Sequence, residues 1–220
     1  MWQSPVVMIR KNDGSYRLCV DYQQVNKLAQ PEANPLPRMD YILSKLRRAK
    51  YLSTLALWSA YHTIPLKASL RPVSVFKVPG LGLSQYKRLP FGLSGAPASF
   101  QRLLDSIITR DLEPYGFGNL DDVTIATNNL RDHMKYVKIV ISKLQKARLV
   151  INLDKSVFGN TEVRYLGFVV NGEGLKPDVE KIRPIIDYPV PKNLKQLRRY
   201  VELFGWYQKF INDYAKIAEP

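Results

Sequence analysis

The stretch that decides the fold is residues 116–127, which read GFGNLDDVTIAT. Its polar tip, Asp121-Asp122, is flanked by the apolar residues Leu120 and Val123. Apolar runs on both sides of a polar tip predict two short strands joined by a turn. Neighbouring side chains of a strand point to opposite faces, so we expect only one of the two aspartates to point straight into a shared site.

This aspartate pair is the only adjacent pair of acidic residues in the chain, and it allows two interpretations. Aspartates are common in solvated turns, where their side chains hydrogen-bond to nearby backbone. Carboxylate oxygens are also the ligands that Mg2+ prefers, and a bound Mg2+ recruits substrate phosphates. Phosphoryl transfer with two metal ions needs carboxylates that converge from more than one element. The pair by itself therefore leaves both interpretations open.

Further elements are predicted on either side of the hairpin. Residues 51–57 predict a strand, and an amphipathic helix begins near Pro97. Apolar residues of that helix recur at i, i+3, i+4, i+7 and i+8, and they are Phe100, Leu103, Leu104, Ile107 and Ile108. A second amphipathic helix follows the hairpin, and its predicted apolar face consists of Met134, Val137, Ile141 and Leu144.

The N-terminal part carries a second hairpin signal. Residues 4–9 and 16–20 are apolar runs on either side of a turn that contains Gly14, and such runs predict paired strands. Three prolines predict a loop at residues 30–37. A helix is expected from Met39 onward, because apolar residues recur at helical spacing from there.

The C-terminal part predicts a strand followed by helices. Residues 163–170 predict a single strand that enters a tight turn at Asn171-Gly172. Helices are predicted after Pro177 and after Asn193, whose spacing to Gln196 resembles a capping box. Strands that alternate with helices, several of them in hairpins, predict an α+β fold with an antiparallel sheet.

The composition is that of a basic globular protein. The 220 residues carry a formal net charge of +14, with 45% hydrophobic and 24% charged residues, which argues against wholesale disorder. The cationic excess indicates a polyanion such as nucleic acid as partner, but it is equally compatible with a role in solubility. One cysteine and two histidines exclude an internal disulfide, a thiolate zinc cluster and a histidine-rich metal site.

The sequence predicts no association with a membrane. No apolar run approaches the roughly 20 residues that span a bilayer, and no signal-peptide pattern follows Met1. A single cysteine suits a reducing compartment, so we expect an intracellular protein.

A series of short sequence blocks identifies a family. The blocks are SPVV at residues 4–7, DGSYRLCVDY at 13–22, VNK at 25–27, PLPRMD at 35–40, AKY at 49–51, SAYH at 59–62, LPFGLSGAPASFQ at 89–101, LDD at 120–122, NLDK at 152–155, YLGF at 165–168 and LFGWYQKFI at 203–211. In this order they resemble the reverse transcriptase of gypsy-type LTR retrotransposons, and the resemblance covers essentially the whole chain.

The resemblance implies a right-hand polymerase fold, with fingers and a palm whose antiparallel sheet is backed by helices. It implies partial fingers at residues 1–50, a palm with an interleaved fingers segment at 51–170, and the start of the thumb or connection at 171–220. It also implies RNA-directed DNA polymerase activity with Mg2+ as cofactor. The implied partners are an RNA–DNA or DNA primer–template duplex and deoxynucleoside triphosphates.

The resemblance also assigns roles to charged residues. Asp121 and Asp122 take the place of the acidic pair in the family's Tyr-X-Asp-Asp motif, as catalytic metal ligands. Lys11, which aligns approximately, and Arg17 would hold the incoming triphosphate. A guanidinium suits that role because it grips phosphate oxygens with two parallel hydrogen bonds. Lys155 falls where a palm lysine near the triphosphate is expected, although an exposed surface lysine is an equally good interpretation.

Three uncharged residues complete the implied nucleotide site. Tyr61 would lie under the nucleotide sugar and exclude a 2′-hydroxyl group. Phe91 and Gly92 would line the site at the start of the helix that follows. Without the resemblance, the tyrosine would be interpreted as a core aromatic and the other two residues as a turn.

The chain departs from the family at several functional positions. Ala56 stands where the family has its first metal-binding aspartate, within a block that reads LALWSAYH at residues 55–62. Asn119 replaces the usual tyrosine before the acidic pair, Thr63 a common glutamine, and Ala60 a glycine. A methyl group cannot bind a cation, so the resemblance implies a weakened magnesium site.

Three functions remain open on the sequence. The first is an active RNA-directed DNA polymerase, and Ala56 argues against this function. The second is a catalytically silent remnant that still binds nucleic acid. The third is an interaction scaffold in which the fold survives and the nucleic-acid cleft has no role.

Overall fold

The computed structural model describes residues 3–11, 14–29, 39–46, 49–78, 80 and 82–218. Within these residues, the strands form four small sheets in which paired strands run antiparallel. In chain order the strands are β1 (Val6–Arg10), β2 (Tyr16–Val20), β3 (Tyr51–Leu57), β4 (Phe76–Val78), β5 (Gly82–Ser84), β6 (Gly116–Asn119), β7 (Asp122–Thr127), β8 (Ile151–Asn160), β9 (Glu162–Tyr165), β10 (Phe168–Asn171) and β11 (Gly174–Pro177).

The helices lie between and after these strands, which confirms the predicted α+β class. They are α1 (Gln23–Asn26), α2 (Met39–Leu46), α3 (Ala96–Ile107), α4 (Leu130–Lys146), α5 (Val179–Ile186), α6 (Leu194–Gly205) and α7 (Tyr214–Ala218). Short 3-10 turns occur at Ala60–Thr63, Ala68–Ser74, Arg110–Leu112 and Gln208–Phe210.

The central sheet contains the Asp121-Asp122 hairpin. Its four strands lie in the order β6-β7-β3-β8. Strand β3 pairs with β7 from Tyr51 opposite Thr127 to Ala56 opposite Asp122. The predicted strand at residues 51–57 and the predicted hairpin are therefore both confirmed, and they are neighbours in the sheet.

One face of the central sheet is covered by α3 and α4 and forms the main core. Leu55, Val123 and Ile125 point to this face and are fully buried against Phe100 and Leu104 of α3. Burying one such side chain contributes about 1.5–3 kcal/mol to the stability of the folded state. The apolar spacing predicted for α3 is thus the spacing that packs on the sheet.

The other face of the sheet lies against α2 and the three-stranded sheet β11-β10-β9. Side chains alternate along a strand, so Leu52 and Ala126 point away from α3 and α4. They pack in a second cluster with Phe168 of β10. Ala56 and Asp122 point to this second face at one end of the sheet. There the covering layer buries the two residues only partly.

The predicted apolar face of α4 packs on the core at Val137, Ile141 and Leu144, and the prediction is wrong only at Met134. The buried residues of the helix are His133, Val140 and Leu144, whereas Met134 is 53% exposed. The sequence pattern favours the methionine because it is apolar. The structure buries the histidine instead, since two strand hydroxyls satisfy its ring nitrogens.

The prediction of a single strand at residues 163–170 is wrong. The chain forms the paired strands β9 and β10, with Phe168 opposite Tyr165. Leu166 and Gly167 between them have φ values of 50° and 83°, and two consecutive left-handed residues reverse the chain in a two-residue turn. The tight turn after Asn171 is confirmed by its pairing with Gly174.

Other local predictions are confirmed at both ends of the chain. The N-terminal hairpin pairs Val6 with Val20 through Arg10 with Tyr16. The side chain of Asn193 accepts a hydrogen bond of 2.9 Å from the backbone N–H of Gln196, which caps α6. The loop predicted at residues 30–37 lies outside the described residues.

His133 ties α4 to the central sheet, and we expect the stability of the fold to depend on its protonation. Its Nε2 lies 2.7 Å from Ser53 Oγ and its Nδ1 lies 3.0 Å from Thr127 Oγ1. Burial lowers the pKa of His133 below its usual value. The unfolded chain therefore binds the proton more tightly, and stability is lost as pH falls below about 6.5.

We expect the free energy of unfolding to decrease between pH 7 and 5, by up to about 1.4 kcal/mol per pH unit from this one group. Urea denaturation of the wild type and of His133→Gln, compared across that range, isolates the contribution. Parallel curves for the two proteins would rule it out. Burial also lowers the pKa of His62. Because His62 is present in both proteins, its contribution to the pH dependence cancels in the comparison.

Candidate catalytic centre

The β6–β7 hairpin places the two aspartates at one end of the central sheet. Leu120 has a left-handed φ of 50°, which turns the chain just before Asp121. The backbone N–H of Leu57 donates a hydrogen bond of 2.8 Å to the carbonyl oxygen of Asp121. The hairpin tip is thereby fixed to the end of β3.

The environment of the two carboxyl groups disfavours negative charge. Asp121 Oδ1 is buried and has no hydrogen-bond partner among the described residues. Burial raises the pKa of Asp121. Burial, and then the charge of Asp121, raise the pKa of Asp122. A cation bound between them would offset both effects, so the pair fits one Mg2+ ion.

A third carboxylate is absent from the position that faces this pair. Ala56 is directly opposite Asp122 in the β3–β7 pair, and facing residues of antiparallel strands have Cβ atoms about 4.5–5.5 Å apart. No group of three or more histidine, cysteine, aspartate or glutamate side chains that could hold a metal ion occurs in the described part of the chain. The residues present therefore do not fit a two-metal centre.

Gln101 supports the hairpin from α3, and the sequence patterns did not single it out. It is fully buried. Its Nε2 donates to the carbonyl oxygen of Gly118 at 3.1 Å, and its Oε1 accepts from the backbone N–H of Leu120 at 2.9 Å. Its Nε2 also lies 2.7 Å from Asp105 Oδ1. A sequence signal for its burial was available, because Gln101 is a polar residue next to Phe100 and three residues before Leu104, on the apolar side of the helix.

Tyr61 and Phe91 come together beside Asp121. Tyr61 is buried, and its ring lies edge-on to that of Phe91 with centroids 4.8 Å apart. Burial, and then the negative charge of Asp121, raise the pKa of Tyr61. About half of the Phe91 side chain remains exposed.

Gly92 connects this region to the N-terminal hairpin. Its φ is 94°, and a Cβ atom there would lie 3.3 Å from the ring of Tyr22 and 3.4 Å from the carbonyl oxygen of Val20. The side chain of Asn26 donates to the carbonyl oxygen of Gly92 at 2.8 Å and accepts from the backbone N–H of Ser94 at 2.9 Å. Glycine is required by both the backbone angle and the close approach.

Arg17 and Lys11 lie on one face of the β1–β2 hairpin. Arg17 is opposite Ile9, and Lys11 follows Ile9 by two residues, so period-2 alternation places both cations on the same side. Both are exposed. Arg17 precedes Val20 by three residues, which is about 10 Å along a strand, so the cations lie beyond the Gly92 contact.

Lys155 lies in an irregular part of β8, close to Ala56 in the sheet. The register shifts between Ala56, which is opposite Asn152, and Thr54, which is opposite Val157. Ser156 Oγ closes this bulge by accepting from the backbone N–H of Ala56 at 3.0 Å and donating to Asn152 O at 2.6 Å. Lys155 itself is exposed.

Comparison with known proteins gives a consistent result. Residues 9–170 match the family model described as reverse transcriptase (RNA-dependent DNA polymerase). The retrovirus-related Pol polyprotein from transposon opus of Drosophila melanogaster is 36% identical over all of this chain and 22% of its own length. The polyprotein from transposon gypsy of the same organism is 36% identical over 93% of this chain and 20% of its own.

Solved structures of foamy viral proteins are similar to this chain over nearly its whole length. A foamy viral protease-reverse transcriptase in complex with double-stranded DNA matches 99% of this chain and 38% of its own, with 27% identity and a TM-score of 0.89. One in complex with an RNA/DNA hybrid matches 93% of this chain and 27% of its own, with 26% identity and a TM-score of 0.78. The implied right-hand polymerase fold is confirmed.

The chain spans about a fifth of the length of the curated relatives it matches. Among the described residues, no helix is both long enough and apolar enough to cross a bilayer.

Proposed function

Because the chain belongs to the reverse transcriptase (RNA-dependent DNA polymerase) family of retrotransposon type, we propose that it binds a primer–template duplex but transfers nucleotides only very slowly. The fold and the acidic hairpin support binding and a residual metal site. The observation that carries the catalytic part is Ala56, whose methyl group faces Asp122 where a carboxylate is needed.

In this proposal Asp121 and Asp122 hold the Mg2+ ion that accompanies a deoxynucleoside triphosphate. When bound, the ion would neutralise phosphate charge at the reacting group. Arg17, Lys11 and Lys155 bind the triphosphate oxygens electrostatically.

Around this polar centre, Tyr61 supports the nucleotide sugar and excludes a 2′-hydroxyl, and the Phe91-Gly92 turn lines the same site. The domain boundaries follow the family, with partial fingers at residues 1–50, palm at 51–170 and thumb or connection from 171. We place the protein inside the cell, where its single cysteine remains reduced.

A nucleic-acid-binding remnant is favoured over an interaction scaffold. The similar foamy viral proteins are in complex with double-stranded DNA and with an RNA/DNA hybrid, and this chain carries a net charge of +14. A scaffold with no nucleic-acid partner would have no use for exposed cations on the N-terminal hairpin, such as Lys11 and Arg17.

Binding to duplex should weaken as salt increases, because cations that contact phosphates release condensed counterions. If the chain neutralises about six phosphates, the slope of log affinity against log salt should be near −5. Fluorescence anisotropy with a labelled RNA–DNA duplex measures this slope. Affinity that stays flat between low and moderate salt would favour the scaffold. The catalytic part of the proposal is tested by primer extension, for which the decisive variant is Ala56→Asp.

A further inference from the structure

The exposed face of α4 lies on the opposite side of the central sheet from the aspartate pair. α4 packs through His133, Val140 and Leu144 on the sheet face that contains Val123. Asp122 points to the other face, since adjacent strand residues alternate. The sheet and the helix, which is about 10–12 Å across with its side chains, therefore separate the outer surface of α4 from a duplex held at the carboxylates.

This outer surface is a continuous basic stripe. At 100° per residue, six exposed residues of α4 fall within an arc of about 100°. They are Arg131, Lys135, Lys138, Ser142, Gln145 and Lys146. Within α4, all of which the structure describes, no acidic side chain lies in this arc.

The four cations of the stripe have no ion-pair partner among the described residues, in contrast to a neighbour on the same helix. Lys143 points elsewhere and is bound to Thr109 Oγ1 at 2.7 Å and to Asp111 Oδ2 at 3.1 Å. The single acidic residue of the helix, Asp132, is engaged with the N-cap Asn129. The positive charge of the stripe is thus not neutralised by the protein.

We propose that the α4 stripe is a second binding site for nucleic-acid phosphates, separate from the polymerase cleft. It extends about 22 Å along the helix, which matches about six successive base pairs at 3.4 Å each. The hydroxyl of Ser142 and the amide of Gln145 add uncharged donors of the kind that contact phosphate oxygens. This site goes beyond the proposed function and does not depend on catalysis.

The burial of the apolar face of α4 favours nucleic acid over an anionic membrane. A helix that binds a bilayer surface must insert its apolar face among the lipid chains. Here Val140 and Leu144 are fully buried against the sheet, so this face is not available to lipid. A rod of phosphates needs only the exposed cations.

Lysine acetylation followed by mass spectrometry tests the site directly in the wild-type chain. With RNA–DNA duplex of about 30 base pairs in saturating excess, so that separate duplex molecules can occupy the two surfaces, we expect Lys135, Lys138 and Lys146 to react at least about fivefold more slowly. Lys143, on the same helix but bound to Asp111, is the internal control and should keep its rate. Equal behaviour of all four lysines with and without duplex would overturn the proposal.

A variant that combines Arg131→Gln, Lys135→Gln and Lys138→Gln gives the second measurement. Its salt slope for the second duplex molecule that binds should be smaller by about 3, since each lost phosphate contact removes about 0.9. Its far-ultraviolet circular dichroism and melting temperature should equal those of the wild type, because the three residues are exposed. An unchanged slope, or loss of binding to phosphatidylserine vesicles with duplex binding intact, would refute a nucleic-acid site here. Both readouts are independent of primer extension, so failure of the catalytic proposal leaves them interpretable.

Discussion

Replacing Ala56 with aspartate should raise the rate of Mg2+-dependent primer extension, starting from a wild-type rate about a thousandfold below that of an intact relative. A thousandfold is about 4 kcal/mol of barrier, which is the scale expected when a metal ion loses a carboxylate ligand that it depends on. Nucleotide binding should change far less, because triphosphate oxygens supply most of the ligands of the ion that accompanies the nucleotide.

The register of the sheet is the reason to expect recovery. Ala56 is opposite Asp122, so a carboxylate at residue 56 would extend to the same side as that of Asp122. The backbone there is held on both sides, by β7 and by the hydroxyl of Ser156. The substitution therefore adds a ligand at a position whose geometry is already set.

Two variants control for shape and for contaminating activity. Ala56→Asn has nearly the shape of aspartate without its charge and should recover little. Asp121→Ala in the Ala56→Asp background should abolish extension. Robust extension by the unmodified protein, or no gain in an Ala56→Asp protein that still binds duplex, would contradict the proposal.

Melting temperature offers a readout that does not depend on turnover. Three carboxyl groups converging at one site repel one another when ionised, so Ala56→Asp should melt below the wild type when Mg2+ is removed by a chelator. A ligand that binds only the folded state stabilises it by an amount that grows with the logarithm of the ligand concentration relative to Kd. Millimolar Mg2+ should therefore raise the melting temperature of the variant more than that of the wild type.

The parts of the fold that follow local rules could be predicted from the sequence. The Asp121-Asp122 hairpin, the β3 strand, the capped start of α6 at Asn193 and the helix after Pro97 all depend on residues close together in the chain. Each is indicated by a turn residue, a capping residue or an apolar spacing that can be recognised within a few residues of sequence. The family resemblance then supplied the assignment of residues to a nucleotide site.

One error is local, and the other errors and omissions involve contacts between distant segments. The turn at Leu166-Gly167 is hidden because its first residue is a leucine, whereas asparagine, aspartate or glycine is typical there. His133 is buried only because Ser53 and Thr127 lie on strands brought to it by folding. The link from Asn26 to Gly92 spans 66 residues. Sequence periodicity reports which side of an element is apolar, and it does not report which polar residues find partners across the core.

Among the polar residues that find partners across the core, Gln101 is the one whose substitution we expect to have the largest effect on stability and catalysis. Gln101→Leu keeps the size of the side chain but leaves the N–H of Leu120 and the carbonyl oxygen of Gly118 without their partner inside the protein. Each buried unsatisfied group costs about 1–3 kcal/mol. For the two groups together, urea denaturation should therefore show a loss of about 2–6 kcal/mol in the free energy of unfolding.

The same change should reduce catalysis, because the two lost hydrogen bonds hold the strand and the turn that lead directly into Asp121. In the Ala56→Asp background, we expect Gln101→Leu to lower kcat about 10- to 100-fold, while KM for the duplex, which binds through distant cations, stays nearly constant. A purely structural role would reduce the amount of folded enzyme without changing kcat per folded molecule. The fraction folded is measured by circular dichroism in the assay buffer.

Asp105→Asn is the matched control, because an amide oxygen at residue 105 still accepts the hydrogen bond from Gln101 Nε2. Asp105 is exposed, so both the free energy of unfolding and kcat should remain close to their starting values. Gln101→Glu should be at least as harmful as Gln101→Leu, since its buried carboxylate has no proton to donate to the carbonyl oxygen of Gly118 and would face the carboxylate of Asp105. If Gln101→Leu and Asp105→Asn have the same kcat per folded molecule, then the hairpin does not depend on this glutamine, and the position of the aspartates is set by strand pairing alone.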